Sequence, residues 1–441
     1  MNRALNQRES LLEWPLWLSV LGLIAVGLAF VYSATSIYET IGFWQRFHDL
    51  SWQGFIRWVL PKFYTRQLIA VVLGLGIAAA FSILSYHKLA RWSFVVYGGG
   101  ILLLGAVLIE GVGSGPGDVQ RWINLGFFQV QPSELGKLAV VLGLANFLSR
   151  PPEELASRAV LFQALGMIGL PFLLILKEPD LGSALVLPPV GLAIMFVAGV
   201  PLSYLKKLVG LAVLLAAIVV TDVMLAPVGW AAPLQQSQRQ HQPVGLMGKS
   251  LIGVAHLHDE VLEQYQRERL LVYFGREFAG KEATAAEKRQ ASQRKAERSY
   301  NTEQALISVG SGGWLGKGWG EGTQNKLGFL PSSVAHNDFI FSVIAEEIGF
   351  VGSATVLALY GILLFAGIKI ASQARDRLGK LLAIGLVALF FSHIFINIGM
   401  NIRMMPVTGI PLPLLSYGGT SVVCSLIAAD ILQNIHLYKK S

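Results

Sequence analysis

Apolar residues in this chain come in runs of about 20, the length of a helix crossing roughly 30 Å of hydrocarbon, broken by short polar punctuation. The runs centre near residues 24, 76, 101, 142, 168, 191, 217, 352, 389 and 427. They show no strand-type alternation, so the pattern predicts an all-α integral membrane protein of ten transmembrane helices, every backbone polar group in lipid being satisfied within a helix. An even number of spans puts both termini on one side. Short connections carrying Arg3 and Arg8, Lys88 and Arg91, Arg150 and Arg158, Lys206 and Lys207, Arg375, Arg377 and Lys380, and Lys439 and Lys440 fall on that side, which the positive-inside rule makes cytoplasmic. The first run carries no convincing cleavage site and reads as a retained anchor.

The opposite, extracytoplasmic face receives the unusual segments. These are a loop over 36–65, a Gly-rich loop over 111–131, the tight Glu178-Pro179-Asp180 connection, a large loop over 226–337 between the seventh and eighth spans, and the 401–420 connection. Functional groups are expected to face outward from there. Within the large loop, 277–299 is charged and Ala-rich and predicts a solvated helix. No repeat of fixed period is visible, so 1–441 reads as one membrane domain.

Composition agrees with the pattern: 53% of the 441 residues are hydrophobic and only 14% charged, which excludes an ordinary soluble protein. The net charge of +8 is dispersed over helix ends and one loop, so it points to anionic lipid head groups and not to nucleic acid. A single cysteine, Cys424, lies in an apolar run and excludes a disulfide framework.

Charges at membrane boundaries are the candidate chemistry, because they are costly there. In Gln131-Pro132-Ser133-Glu134-Leu135-Gly136-Lys137, Pro132 suits a first helical turn, and Glu134 and Lys137 share a face at i, i+3. That pair is either self-neutralising or part of an ion-binding cluster, and nearby Arg121 suits a phosphate oxygen. Asp180 can cap a helix or join the same cluster. The glycines of 308–320 do not have P-loop spacing and can line a re-entrant turn or approach an anion. Asp338, where the large loop enters an apolar run, is either an N-cap or a functional boundary carboxylate above Ser342, Ala345 and Glu346. The 401–420 connection breaks helical structure at membrane depth, which persists only when buried or lining a cavity.

Taken in order, these pieces resemble the SEDS family (shape, elongation, division and sporulation), nearer its elongation than its division members. The matching residues are Arg121-Trp122-Ile123, Gln131 to Lys137, Pro179-Asp180-Leu181-Gly182, Gly316-Lys317-Gly318-Trp319 with Gly322-Thr323-Gln324, Phe329-Leu330-Pro331, Asp338-Phe339-Ile340-Phe341 with Glu346-Glu347, and Pro406 to Pro413 through Ser416-Tyr417-Gly418-Gly419. The resemblance implies a peptidoglycan glycosyltransferase of the bacterial cytoplasmic (inner) membrane that polymerises lipid II on its outer face. It implies Asp338 as the essential acid and general base, with Arg121, Glu134, Lys137, Asp180, Lys317, Gln324, His336 and Ser416 binding substrate. No cofactor is certain from it, and a divalent cation, Mg or Mn, oriented by Glu134 and Asp180 stays open. It also implies a class B penicillin-binding protein as transpeptidase partner, within the elongation machinery. The chain departs from the family pattern at Asn337 (usually Thr), Glu178 (often Gln) and Arg403 (a small residue). Before the motifs are weighed, a lipid flippase or transporter fits the intramembrane charges equally well, and a scaffold for the penicillin-binding partner explains the long loops.

Overall fold

The computed structural model describes residues 12–36, 62–109, 112–114, 120–126, 129–225, 264–278 and 284–439. Most of the loop expected over 36–65 and the 226–263 part of the large loop lie outside them, as do Arg3, Arg8 and Lys440. The described chain is mainly helical: α1 Trp14–Ser36, α2 Phe63–Ile83, α3 Ser93–Val107, α4 Pro132–Leu148, α5 Arg158–Lys177, α6 Leu181–Ala198, α7 Leu202–Leu225, α8 Gln264–Tyr273, α9 Ala285–Ser311, α10 Ile340–Gln373, α11 Arg377–Asn401 and α12 Gly419–Leu437. Each of the ten expected centres falls inside one of these helices. Eight of the described helices are long and apolar enough to cross a membrane. The other two, α3 with 15 residues and α4 with 17, are shorter than the roughly 20 that a perpendicular span needs.

The helices pack as a bundle whose interior is α4, α11 and α12. The spanning window of α12 is 83% buried, whereas that of α7 is 6% buried and forms the periphery. In α4 nearly every residue is enclosed, Glu134 and Lys137 included. Helix α2 lies along α12, α3 along α4, α6 along α11, and α10 along both α1 and α11.

Helix α10 is two helices joined at Gly349, whose φ of 65° and ψ of −160° are not helical. A broken helix at membrane depth must find partners for its freed backbone groups. The Gly-rich segment supplies them: Lys317 N–H donates to the Glu346 carbonyl (3.0 Å) and Gly318 N–H to that of Glu347 (2.9 Å), while Phe350 and Val351 N–H donate to the Gly313 and Trp314 carbonyls (2.8 and 3.1 Å). A Cβ on Gly349 or Gly316 would collide with this backbone. Of the two expectations for these glycines, the packed re-entrant turn is the one found.

Two local features differ from the sequence expectation. The 111–131 loop contains a small antiparallel sheet, β1 (Gly113–Ser114), β2 (Trp122–Asn124) and β3 (Gln129–Val130), paired Ser114 with Trp122 and Asn124 with Gln129. Strands of two or three residues are too short to leave a periodic signal. The charged helix of the large loop starts at Ala285 and runs on to Ser311, where the small residues Thr302, Ala305 and Ser308 form its buried side and the helix packs against α10.

Candidate active site

Asp338 stands just before α10. Phe339 is the N-cap and has no side-chain cap, so the carboxylate of Asp338 is free of a capping role. Its backbone carbonyl accepts from Asn397 Nδ2 and Asn401 Nδ2, both at 3.0 Å, one turn apart on α11. Asn397 also donates to the Ile410 carbonyl at 2.7 Å, fixing the 408–410 backbone against Asp338. Gly409, in the left-handed region at φ 76°, lets the two approach: a Cβ there would stand 3.5 Å from Asp338 Oδ2 and 3.8 Å from both terminal nitrogens of Arg269. Arg269 comes from α8 in the large loop and donates to the Val407 carbonyl at 3.0 Å. Asp338 keeps intermediate exposure. Burial pushes its carboxyl up to about 6; the Arg269 charge opposes the rise, Asp180 adds to it, and Arg121 opposes it more weakly.

The Glu178-Pro179-Asp180 connection is the second wall. Arg121, presented by the edge of β2, donates through Nε to the Glu178 carbonyl (3.0 Å) and through Nη2 to that of Pro179. Asp180 caps α6, Oδ1 accepting from Ser183 N–H at 3.1 Å, while Oδ2 accepts from Gln131 Nε2 at 3.1 Å and Ser133 Oγ at 3.5 Å. Gly182 seats this turn on the loop beside Asp338, since a Cβ would lie 2.8 Å from the Thr408 carbonyl oxygen. Glu178 is fully buried, with no partner for either carboxyl oxygen among the described residues. Burial first and the Asp180 charge second, against Arg121, push it up to about 9, so it is a neutral acid at pH 7. A protonated glutamic acid has nearly the shape and charge of glutamine.

Glu134 and Lys137 form the i, i+3 pair that their spacing predicts, 2.7 Å apart. The ammonium also meets His393 Nε2 at 2.7 Å, and His393 Nδ1 faces the Leu389 carbonyl at 2.8 Å. All three side chains are buried, so Lys137 is enclosed within the bundle and its charge is matched inside it. His336 and Ser416 sit behind Asp338. The His336 ring packs on Phe63 and Tyr417, with centroids 4.4 and 5.2 Å away. Ser416 Oγ donates to the Asn337 carbonyl (2.6 Å) and accepts from Leu412 N–H (2.8 Å). Lys317 and Gln324 gather elsewhere, on Glu346: Lys317 Nζ at 2.6 Å and Gln324 N–H at 3.1 Å. Glu347 beside it accepts from Ser33 Oγ at 2.6 Å and Gly320 N–H at 2.9 Å.

Arg121, Asp180 and Asp338 are therefore brought together, with Glu134 and Lys137 beneath them and Lys317 and Gln324 in a separate polar cluster. The donor set does not fit a cation held between Glu134 and Asp180. Glu134 is spent on Lys137, both Asp180 oxygens accept N–H or O–H donors, and no group of three His, Cys, Asp or Glu side chains converges among the described residues. Sequence reading missed Arg269, His393, Asn397 and Asn401. The asparagines did leave a signal, two polar residues at i, i+4 on one face of an apolar run.

The profile of the FtsW/RodA/SpoVE family, described as "Cell cycle protein", matches residues 14–441. The chain belongs to the SEDS family. Peptidoglycan glycosyltransferase MrdB of Escherichia coli K12 is 33% identical over 377 residues, covering 85% of this chain and 86% of that protein. Peptidoglycan glycosyltransferase RodA of Treponema pallidum is 30% identical over 465 residues, covering 96% and 97%. Among solved structures, a chain from a study of polymerization and crosslinking by a peptidoglycan synthase complex aligns with a TM-score of 0.67 at 26% identity, over 96% of this chain and 97% of that one. A variant of Thermus thermophilus RodA aligns with a TM-score of 0.58 at 25% identity over the same shares. This SEDS chain thus shares the mainly helical fold of its structural relatives, and the alignments follow it over 85–96% of its length.

Proposed function

We propose that this SEDS protein is a peptidoglycan glycosyltransferase that polymerises lipid II, with Asp338 as general base. The observation carrying the assignment is a half-exposed carboxylate, raised to about 6, anchored through its backbone by Asn397 and Asn401 and flanked by Arg269 and Arg121. A base works best with a pKa near the operating pH, and a positioned one contributes about 10²- to 10⁴-fold. Asp338 takes the proton from the 4-hydroxyl of the acceptor GlcNAc. The hydroxyl oxygen bonds to C1 of the donor MurNAc, the C1–O bond to undecaprenyl diphosphate breaks, and in-line attack inverts the α-linked donor to a β-1,4 linkage. The diphosphate leaves with the bonding pair, and that growing charge needs cations able to reach it. Arg121 and Arg269 suit this role better than the enclosed Lys137, which with Glu134 serves to hold α4 and α11 in register beneath the site. Asp180 orients the Gln131–Ser133 end of α4, Ser416 and the packed His336 ring hold the Asn337–Asp338 segment, and Lys317 and Gln324 hold the re-entrant turn, positioning roles and not direct sugar contacts.

In this reading the ten helices are ten spans of the bacterial inner membrane, α3 and α4 included, with cytoplasmic termini and Asp338 facing outward. A class B penicillin-binding protein supplies the transpeptidase within the elongation machinery. That the structural relative was solved in work on a peptidoglycan synthase complex supports that partnership. Purified protein given lipid II in detergent, with and without the partner, is expected to yield glycan polymer on a gel. Lipid movement across vesicles without any polymer would favour the flippase reading instead.

A further inference from the structure

Thr302 on α9 is only 6% exposed, and its hydroxyl has no hydrogen-bond partner among the described residues. It lines a narrow, mostly apolar cleft where α8 and α9 meet the 403–407 segment, its polar lining supplied by Arg269, Tyr273, Ser299, Thr302, Glu303 and Arg403. The cleft as a whole has about 10 Å³ open to a water-sized group, room for a single oxygen atom of a ligand and none for a sugar ring. Two guanidinium groups face one carboxylate, so the lining is net positive. Several of these groups are already engaged: Tyr273 OH donates to the Met404 carbonyl (2.9 Å), Ser299 Oγ to that of Ala296 (3.3 Å), and Arg269 to that of Val407 (3.0 Å). Arg403 is exposed; its N–H donates to the Met400 carbonyl at 3.2 Å, while its guanidinium makes no hydrogen bond or ion pair among the described residues. Its φ of 59° is in the region that glycine occupies at no steric cost. A long cation at such a position has no packing role to explain it, and it faces the same cleft as an unsatisfied hydroxyl.

We infer that Arg403, Arg269 and the Thr302 hydroxyl form a subsite for an oxyanion of the substrate, a phosphate or a carboxylate, beside the base. The inference rests on the active-site reading above, because Arg269 borders both this cleft and Asp338. The anion comes either from the lipid diphosphate or from a carboxylate of the peptide carried by the sugar. A peptide carboxylate keeps the same charge in ground and transition state, so losing its contact raises KM and spares kcat, whereas a contact with the departing diphosphate strengthens as charge grows, so its loss also lowers kcat.

The test is lipid II polymerisation kinetics of the full chain with its partner, for wild type, R403A, R403K, R403G and T302V. R403A is expected to raise KM about tenfold, with kcat little changed where the anion is a peptide carboxylate and lowered where it is the diphosphate, and R403K to recover part of the loss. R403G accommodates the left-handed backbone, so it should keep or raise the unfolding temperature while raising KM as R403A does. A purely structural role for Arg403 predicts no KM change in R403G. Weaker inhibition of R403A than of wild type by inorganic pyrophosphate assigns the anion to the diphosphate. Disappearance of the KM difference on lipid II with amidated peptide carboxylates assigns it to the peptide. Unchanged KM and unchanged pyrophosphate inhibition in both R403A and T302V, with D338N inactive, would overturn the subsite alone. Polymerisation by D338N would overturn the active-site reading instead, and direct binding of radiolabelled pyrophosphate to wild type and R403A would then still decide the subsite.

Discussion

At Asp338 and Glu178 the same force, burial, does different work because the neighbouring charges differ. Asp338 has Arg269 and Arg121 within electrostatic reach and stops near 6, so it is ionised at neutral pH and able to take a proton. Glu178 has Asp180 as its nearest added influence and is carried to about 9. That shift is also a statement about stability. The folded state holds the Glu178 proton more tightly than the unfolded chain, whose value is the ordinary 4.5, so its contribution is complete below about 4.5 and is lost as pH rises toward 9. E178Q, which removes the titration and keeps the shape, should fold normally and should lead wild type in unfolding temperature by a margin that widens from pH 5 to pH 9, at up to about 1 kcal/mol per unit. A constant margin would show that Glu178 is ionised in the fold. At this scale the sequence was readable where a charge interrupts an apolar run, as at Arg121, Asp180 and Asp338. Arg269 was hidden because α8 lies among many other charges of the large loop, and only tertiary packing selects one of them. His393 was hidden because a single histidine in an apolar run carries no spacing to read.

Among the elements, the placement of Asp180 relative to Asp338 depends on one close approach, Gly182 against the Thr408 carbonyl. G182A must push the N-terminus of α6 away from the 408–410 backbone while leaving the helix itself competent to form. Expected is folded, membrane-inserted protein whose polymerisation rate falls about 10²-fold, the cost of misplacing a site by about 1 Å. Normal rates in a folded G182A variant would separate the α6 turn from the chemistry. Helix existence was legible from hydropathy alone, and so was the start of α4 from Pro132. The break in α10 was not, because Gly349 is one glycine among many, and its partners lie some 30 residues upstream. Spacing likewise gave the Glu134–Lys137 pair but not its depth; whether a pair on a helix face meets solvent or another helix is decided by α11.

For the whole molecule, the bundle solves two problems at once. It shields charges that a bilayer could not accept, and it leaves Asp338 partly accessible at the start of α10, where the proposed function has the lipid-anchored sugar arrive. In the buried trio Lys137 meets Glu134 and His393, and in the second cluster Lys317 pairs with Glu346 while Glu347 accepts from Ser33 and Gly320. These contacts hold together helices that share no hydrophobic drive to associate in lipid. The central claim is that Asp338 removes the acceptor proton, and the pH–rate profile of lipid II polymerisation by the full chain with its partner tests it most directly. The account predicts that wild-type rates fall tenfold per unit below a limb near pH 6, and that D338N loses about 10²- to 10⁴-fold together with that limb while still binding lipid II. A D338N protein that polymerises at the wild-type rate, or keeps the same acid limb, would contradict it.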